Sequence, residues 1–222
     1  MNDFNLKFGI IGIDHRHVYT QAQFLIELGA ELVGWYTEGS PTTLGGFTKR
    51  FPKAKRFTDP RSLLEDPDIK VILTSAVPND RAKISISAMK HGKDVMSDKP
   101  GCLSFGDLEE LRQTVQQTGR IWSVDFSERF EVPAVTLASQ LVSDGAIGDV
   151  IHTLGLGPHR LNPESRPNWF FDPNQNGGIL ADIGSHQIDQ FLFFTKSESA
   201  EITLASIRNM GHQEFANFSD FG

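Results

Sequence analysis

Short apolar runs alternate with longer amphipathic ones along the first half of the chain. Residues 6–13 (LKFGIIGI) form a short apolar run rich in β-branched side chains, which predicts a buried strand. Residues 18–28 place Phe24, Leu25 and Leu28 at helical spacing, and Gly29 follows as a stop signal. Residues 30–36 (AELVGWY) predict a second strand, completing a β-α-β unit. The alternation continues. A short helix is predicted over 43–51, weakened by Gly45 and Gly46, and another starts at 62–64. A strand at 71–74 (VILT) and a helix at 80–91, closed by Gly92, come next. A strand at 94–96, a helix at 105–118 ended by Gly119, and a strand at 121–126 complete this half. Strands separated by helices of this length imply an α/β fold with a parallel, doubly wound sheet. Ligands of such sheets bind at the carboxyl ends of the strands. The loops near Ile13, Tyr36, Thr74 and Met96 are therefore expected to converge on one crevice.

The texture changes after Phe130. A helix is predicted over 133–144 and a strand over 149–156, followed by a polar, Pro-rich stretch at 158–176 that carries Trp169, Phe170 and Phe171. Gly177 and Gly178 precede a strong helical pattern at 179–194, and a last strand is expected at 201–207. The boundary falls within 122–130, giving a first domain at 1–125 and a second at 126–222.

Composition narrows the field without choosing within it. The chain has 222 residues, 39% apolar and 22% charged, close to an ordinary globular protein. No apolar run approaches a membrane span and the N-terminus carries no signal-peptide pattern, so no membrane partner is expected. A single cysteine, Cys102, rules out an internal disulfide. A cytoplasmic protein is the expectation. The net charge of −7 is unsuited to nucleic acid, which takes clustered Lys and Arg.

The first β-α turn reads Gly12-Ile13-Asp14-His15-Arg16-His17. A dinucleotide turn usually reads G-x-G-x-x-G, with glycines for the tight turn, for close approach of pyrophosphate and for helix packing. Gly12 matches the first; Asp14 and His17 stand at the other two. Asp14 is unfavourable beside a phosphate, and Arg16 with the helix N-terminus would offset it. Taken alone, the segment suits equally a turn that never meets a dinucleotide. The second strand ends at Thr37-Glu38, where a carboxylate would accept bonds from the ribose 2′-hydroxyl of NAD, and a small hydroxyl with a nearby cation would suit NADP. Glu38 tilts the expectation toward NAD. Ala76 and Pro78 lie in the segment between the strand at 71–74 and the helix at 80–91.

Ser97-Asp98-Lys99-Pro100 follows the strand at 94–96. Pro100 pushes Lys99 toward an extended conformation, and a Lys at that edge can stabilise a developing alkoxide. In the second half, Asp182 and His186 are i and i+4 on one helix face, with Asp189 on the same broad stripe. A carboxylate beside an imidazole raises its pKa and orients it for acid–base work. The same pair can instead cap a helix or ligate a metal, although no Cys, HExxH or second His supports a metal, and none is expected.

Taken together, these segments resemble the glucose–fructose oxidoreductase, inositol dehydrogenase and MocA family. The resemblance runs over nearly all of the chain. It rests on FGIIGI, VPNDRAKISISAMKHGKDVMSDKP, ERFEVPAVTLASQLVSDGAIGDV and GGILADIGSHQIDQFLFF, in that order and spacing. It implies a Rossmann domain followed by an α/β domain built on an open, largely antiparallel sheet that supports homo-oligomers. It implies NAD or NADP as cofactor, held by residues from Gly12, Ile13, Asp14, Arg16, His17, Thr37, Glu38, Ala76, Pro78, Asp98 and Lys99. It further implies hydride transfer to or from a sugar, cyclitol or related polyol. Lys99 matches the lysine of the family's Glu-Lys-Pro motif, with Asp98 in place of Glu, and would polarise the substrate oxygen. His186 would exchange the hydroxyl proton, and Asp182 would bind a neighbouring hydroxyl or orient the other two. Arg129 and Trp169 are expected on the substrate side. Because family members continue with further strands, a chain ending at Gly222 is expected to be a fragment or a truncated gene model. Two alternatives stay open: a non-catalytic, cofactor-degenerate sugar-binding relative, and a metal-dependent hydrolase or lyase using Asp182 and His186.

Overall fold

The computed structural model describes residues 6–222, which divide into two compact units, one ending at Val124 and one beginning at Asp125. The first unit is a six-stranded sheet in the order β3-β2-β1-β4-β5-β6. Its strands are β1 (Lys7–Ile11), β2 (Glu31–Tyr36), β3 (Lys55–Arg56), β4 (Ile69–Thr74), β5 (Asp94–Asp98) and β6 (Trp122–Asp125). The pairs β1–β2, β1–β4, β2–β3 and β4–β5 are parallel. Strand order reverses at β1, so the loops after β1 and β4 flank a switch point.

Alternation along β1 shows why the run at 6–13 folds this way. Phe8 and Ile10 enter one core with Val18 and Ala22 of α1 (Val18–Glu27) and Phe47 of α2 (Leu44–Arg50). Ile11 enters the opposite core with Leu63 of α3 (Arg61–Leu64), Met89 of α4 (Pro78–Lys90) and Leu111 of α5 (Phe105–Thr118). A strand covered by helices on both faces has no polar side, hence the apolar run from Phe8 to Ile13. The helix at 105–118 starts and stops where the sequence places it. Ser104 Oγ accepts the Asp107 N–H at 3.0 Å, and Gly119 ends the helix with φ of 64°. The expected helix at 62–64 is a single turn, and the one at 80–91 begins two residues earlier, with Pro78 at its first position.

The second unit carries α6 (Ser127–Phe130), α7 (Pro133–Ser143), α8 (Pro173–Asn176) and α9 (Ser185–Thr195). Gly177 and Gly178 both adopt positive φ, 86° and 76°, which explains the paired glycines. The helix expected over 179–194 is broken into a π-helical turn at Leu180–Gly184 and then α9. The strands expected at 149–156 and 201–207 are not formed. Both segments are irregular, and the antiparallel pairing present among the described residues of this unit is a single bridge, Arg208 with Phe221. Their apolar content predicted these strands, but a strand needs a neighbour for its backbone groups. Ile151, Leu154 and Leu204 are 95%, 79% and 86% exposed.

Candidate active site

At the carboxyl edge of the first sheet, Gly12 directly follows β1 and packs against the residues that follow β4. Its N–H donates to Tyr36 O at 2.8 Å, and its carbonyl accepts from Ser75 N at 3.1 Å. Its φ is 82°, and a Cβ at this position would lie 2.4 Å from the Ala76 Cβ. The first glycine of the turn is thus required by the fold itself. Above it lies a cavity of about 330 Å³ whose lining includes Gly12, Asp14, Thr37, Glu38, Ala76 and Asp80. Five residues expected to hold a dinucleotide are therefore brought together.

Two features of this cavity bear on what fills it. Thr37 is buried and lines the cavity, and among the described residues its Oγ1 has no hydrogen-bond partner. A buried hydroxyl without a partner is costly, and a ligand hydroxyl or phosphate oxygen would satisfy it. Burial raises the Asp14 carboxyl to about 6, aided by the nearby Asp80 carboxylate, so near neutrality it exchanges its proton readily. A protonated Asp14 would no longer repel a phosphate. These residues fit a dinucleotide at the end of β1 and β2.

The remaining expected cofactor residues lie elsewhere. Ile13 is fully buried, and its carbonyl accepts from the Thr43 hydroxyl. Arg16 is exposed, and Pro78 is buried at the start of α4. His17 turns away from the cavity. Its Nδ1 lies 2.9 Å from Asp98 Oδ1, and His15 Nδ1 lies 2.8 Å from Asp98 Oδ2. An imidazole at the third glycine position therefore leaves the space over the turn open. Asp98 is fully buried and also accepts from Arg81 Nη2 at 3.0 Å and from the Lys99 N–H at 2.8 Å. Burial pushes the Asp98 carboxyl up, but Arg81 and the two imidazoles outweigh it and hold it well below the usual carboxylate range. Burial lowers His15 to about 4 against the pull of Asp98, so its imidazole is neutral at physiological pH. Lys99 itself is buried in the loop after β5, with a cis bond to Pro100. Neither His15 nor Arg81 stood out as a site residue in the sequence. The available signal was Arg81 on the inward face of the 80–91 helix, where a charge needs a partner.

In the second unit, Asp182 sits in the π-helical turn and lines a cavity of about 180 Å³ with Arg160, Arg166, Phe170 and His212. His186 is buried in the first turn of α9, edge-on to Phe126 at 6.0 Å. Arg129 is held by Asp189 in a two-point pair, Nε to Oδ2 at 2.6 Å and Nη2 to Oδ1 at 2.9 Å. Trp169 lies in a 3₁₀ turn beside Phe170. Asp189, placed on the helix stripe without a role, is thus the anchor of Arg129.

The strand order, the glycine at the switch point and the cavity above it define a dinucleotide-type Rossmann unit joined to a second, differently built unit. Residues 6–126 match the model for the oxidoreductase family with an NAD-binding Rossmann fold, and residues 135–219 match the GFO/IDH/MocA C-terminal domain. The chain belongs to the GFO/IDH/MocA oxidoreductase family. It is 31% identical over 167 residues to levoglucosan dehydrogenase of Pseudarthrobacter phenanthrenivorans, covering 73% of this chain and 42% of that protein. It is 30% identical over 159 residues to the NAD(+) scyllo-inositol 2-dehydrogenase of Bacillus subtilis, covering 72% and 43%. A crystal structure from Erwinia carotovora atroseptica, provisionally assigned as an oxidoreductase, superposes with a TM-score of 0.93 at 38% identity, covering 97% of this chain and 64% of that one. The chain spans less than half the length of these two curated relatives. Among the described residues no helix is long and apolar enough to cross a membrane.

Proposed function

We propose that the protein is an NAD(P)-dependent dehydrogenase that moves a hydride between nicotinamide and a carbinol or carbonyl carbon of a sugar, cyclitol or related polyol. The observation that carries this reading is the cavity over Gly12, where the Thr37 hydroxyl lies buried with no partner among the described residues. The bound nicotinamide supplies the hydride chemistry; the protein supplies position and charge. Gly12 and Ala76 leave room for the dinucleotide, and Thr37 with Glu38 meets its ribose. Lys99 polarises the substrate oxygen, His186 exchanges the hydroxyl proton, and Asp182 binds a neighbouring hydroxyl. Arg129, fixed by Asp189, and Trp169 belong to the substrate side. Family membership and the two relatives named for polyols support the substrate class. A first domain for the dinucleotide, a second for substrate and assembly, and a cytoplasmic homo-oligomer belong to the same reading. The test is NAD⁺ and NADP⁺ reduction across a panel containing levoglucosan and the inositols. Turnover with at least one polyol is expected; nucleotide binding with no turnover on any of them would overturn it.

A further inference from the structure

Four donors meet on the Asp98 carboxylate. Oδ2 accepts from His15 Nδ1 at 2.8 Å and from Arg81 Nη2 at 3.0 Å. Oδ1 accepts from His17 Nδ1 at 2.9 Å and from the Lys99 N–H at 2.8 Å. Arg81 then reaches past Asp98. Its Nε donates to Ala76 O at 2.8 Å, and its Nη1 donates to the carbonyls of Lys99 and of Pro100, the latter at 3.2 Å. Lys99 is therefore gripped on both sides, its N–H by Asp98 and its carbonyl by Arg81. Asp98 is 0% exposed and Arg81 1%. A buried network with every member satisfied is rigid, and removing one member is costly.

The two imidazoles come from the first β-α turn, the same turn that forms the floor of the cavity at Gly12 and Asp14. Their ring centroids are 4.2 Å apart at 72°, and each presents Nδ1 to one carboxylate oxygen. The three side chains bring metal-ligand atom types within 4.8 Å of one another. A cation is nonetheless the poorer account. Both Asp98 oxygens already accept two donors, the Arg81 guanidinium occupies one of them, and each Nδ1 is placed to donate a proton to the carboxylate.

We infer that Asp98 is a positioning residue which, through His15 and His17, locks the Lys99 backbone to the dinucleotide turn, and that the three side chains are a set matched in size. A glutamate at this position would carry the carboxylate about 1.5 Å further, into the two rings. The short aspartate and the two histidines therefore depend on one another. The histidine at the third glycine position of the turn is then a substitution with a task, not an erosion. The consequence for turnover rests on the dehydrogenase reading; the network itself does not.

The test uses Asp98→Glu, the double variant His15→Ala/His17→Ala, and the triple variant, each in the full chain. Two readouts are taken: amide hydrogen exchange at Lys99 by NMR, and kcat and KM with NAD(P)⁺ and a polyol. Asp98→Glu alone should speed Lys99 exchange by about tenfold or more. It should lower kcat by about 100-fold, with KM changed less than about threefold. The triple variant should regain at least about tenfold in both. Additive losses in the triple variant, or no effect of Asp98→Glu, would overturn the inference. If Lys99 exchange follows this pattern but no variant, wild type included, turns over, the dehydrogenase reading fails and the positioning role stands. Should the variants not fold, the wild-type imidazole nitrogens decide. Long-range ¹H–¹⁵N spectra in mildly alkaline buffer should show both rings protonated on Nδ1, and protonation on Nε2 would overturn the inference.

Discussion

His17 Nδ1 lies 2.9 Å from Asp98 Oδ1, across 81 residues of sequence, and this bond ties the first β-α turn to the loop that carries Lys99. The partner imidazole, His15, makes the equivalent bond to the other carboxylate oxygen. Together they give the first unit a joint built on a buried carboxylate.

Acid should therefore loosen this unit. The neutral His15 has a folded value of about 4, below the ordinary imidazole value of 6.5, so the unfolded chain binds more protons between those limits. Its contribution falls as the pH drops from 6.5 toward 4. The depressed Asp98 acts in the same direction, its contribution being lost as pH falls through its folded value. The stability difference between wild type and His15→Gln, from urea unfolding, should shrink steadily over that window. A difference that stays constant across it would contradict the assignment.

Asp14 carries the opposite sign. Its folded value of about 6 stands above the ordinary 3.8, so the native state binds more protons between them and stability falls as pH rises. Asp14→Asn should raise stability near neutrality by about 1 kcal/mol, allowing for solvent screening, and should change nothing below the ordinary carboxylate range. Nucleotide phosphates would raise the Asp14 value further, so affinity should weaken as pH rises through 6 in wild type. In Asp14→Asn that slope should be flat. An unchanged slope in a calorimetric pH series would remove Asp14 from the phosphate site.

Thr37→Val separates binding from folding. The hydroxyl has no partner within the described residues, so its loss should leave stability equal or higher. Dinucleotide affinity should fall by about 3- to 10-fold, the worth of one neutral hydrogen bond. Unchanged affinity by NADH fluorescence would place the ribose elsewhere.

Arg129 tests the second unit in the same way. Its fork onto Asp189 has both side chains largely buried, 20% and 13% exposed. Arg129→Lys keeps the charge and loses the two-point geometry, and should cost about 1–2 kcal/mol in urea unfolding. A loss no larger than that of an exposed pair would show the fork to be dispensable.

The sheet was legible in the sequence because a doubly covered strand has no polar face, and runs such as 6–13 and 71–74 fit few other structures. The helix at 105–118 was legible because its amphipathic run closes at Gly119. The second unit was less so. The apolar content of 149–156 and 201–207 registers side chains but not the backbone partners a strand needs. At the site, Gly12, Thr37 and Lys99 follow from their places after strands. The network around Asp98 does not, because His15, His17 and Arg81 meet it through folding across 17 to 83 residues. Sequence spacing carries no record of which way an imidazole turns.

Hydride transfer is read most directly by the movement of an isotope. The full chain is incubated with NAD⁺ or NADP⁺ and a carbinol-deuterated polyol, and the nucleotide is examined by NMR. Deuterium is expected at nicotinamide C4, with Lys99→Ala slowing its appearance by about 100-fold or more. Nucleotide that binds but acquires no deuterium from any levoglucosan or inositol substrate would contradict it.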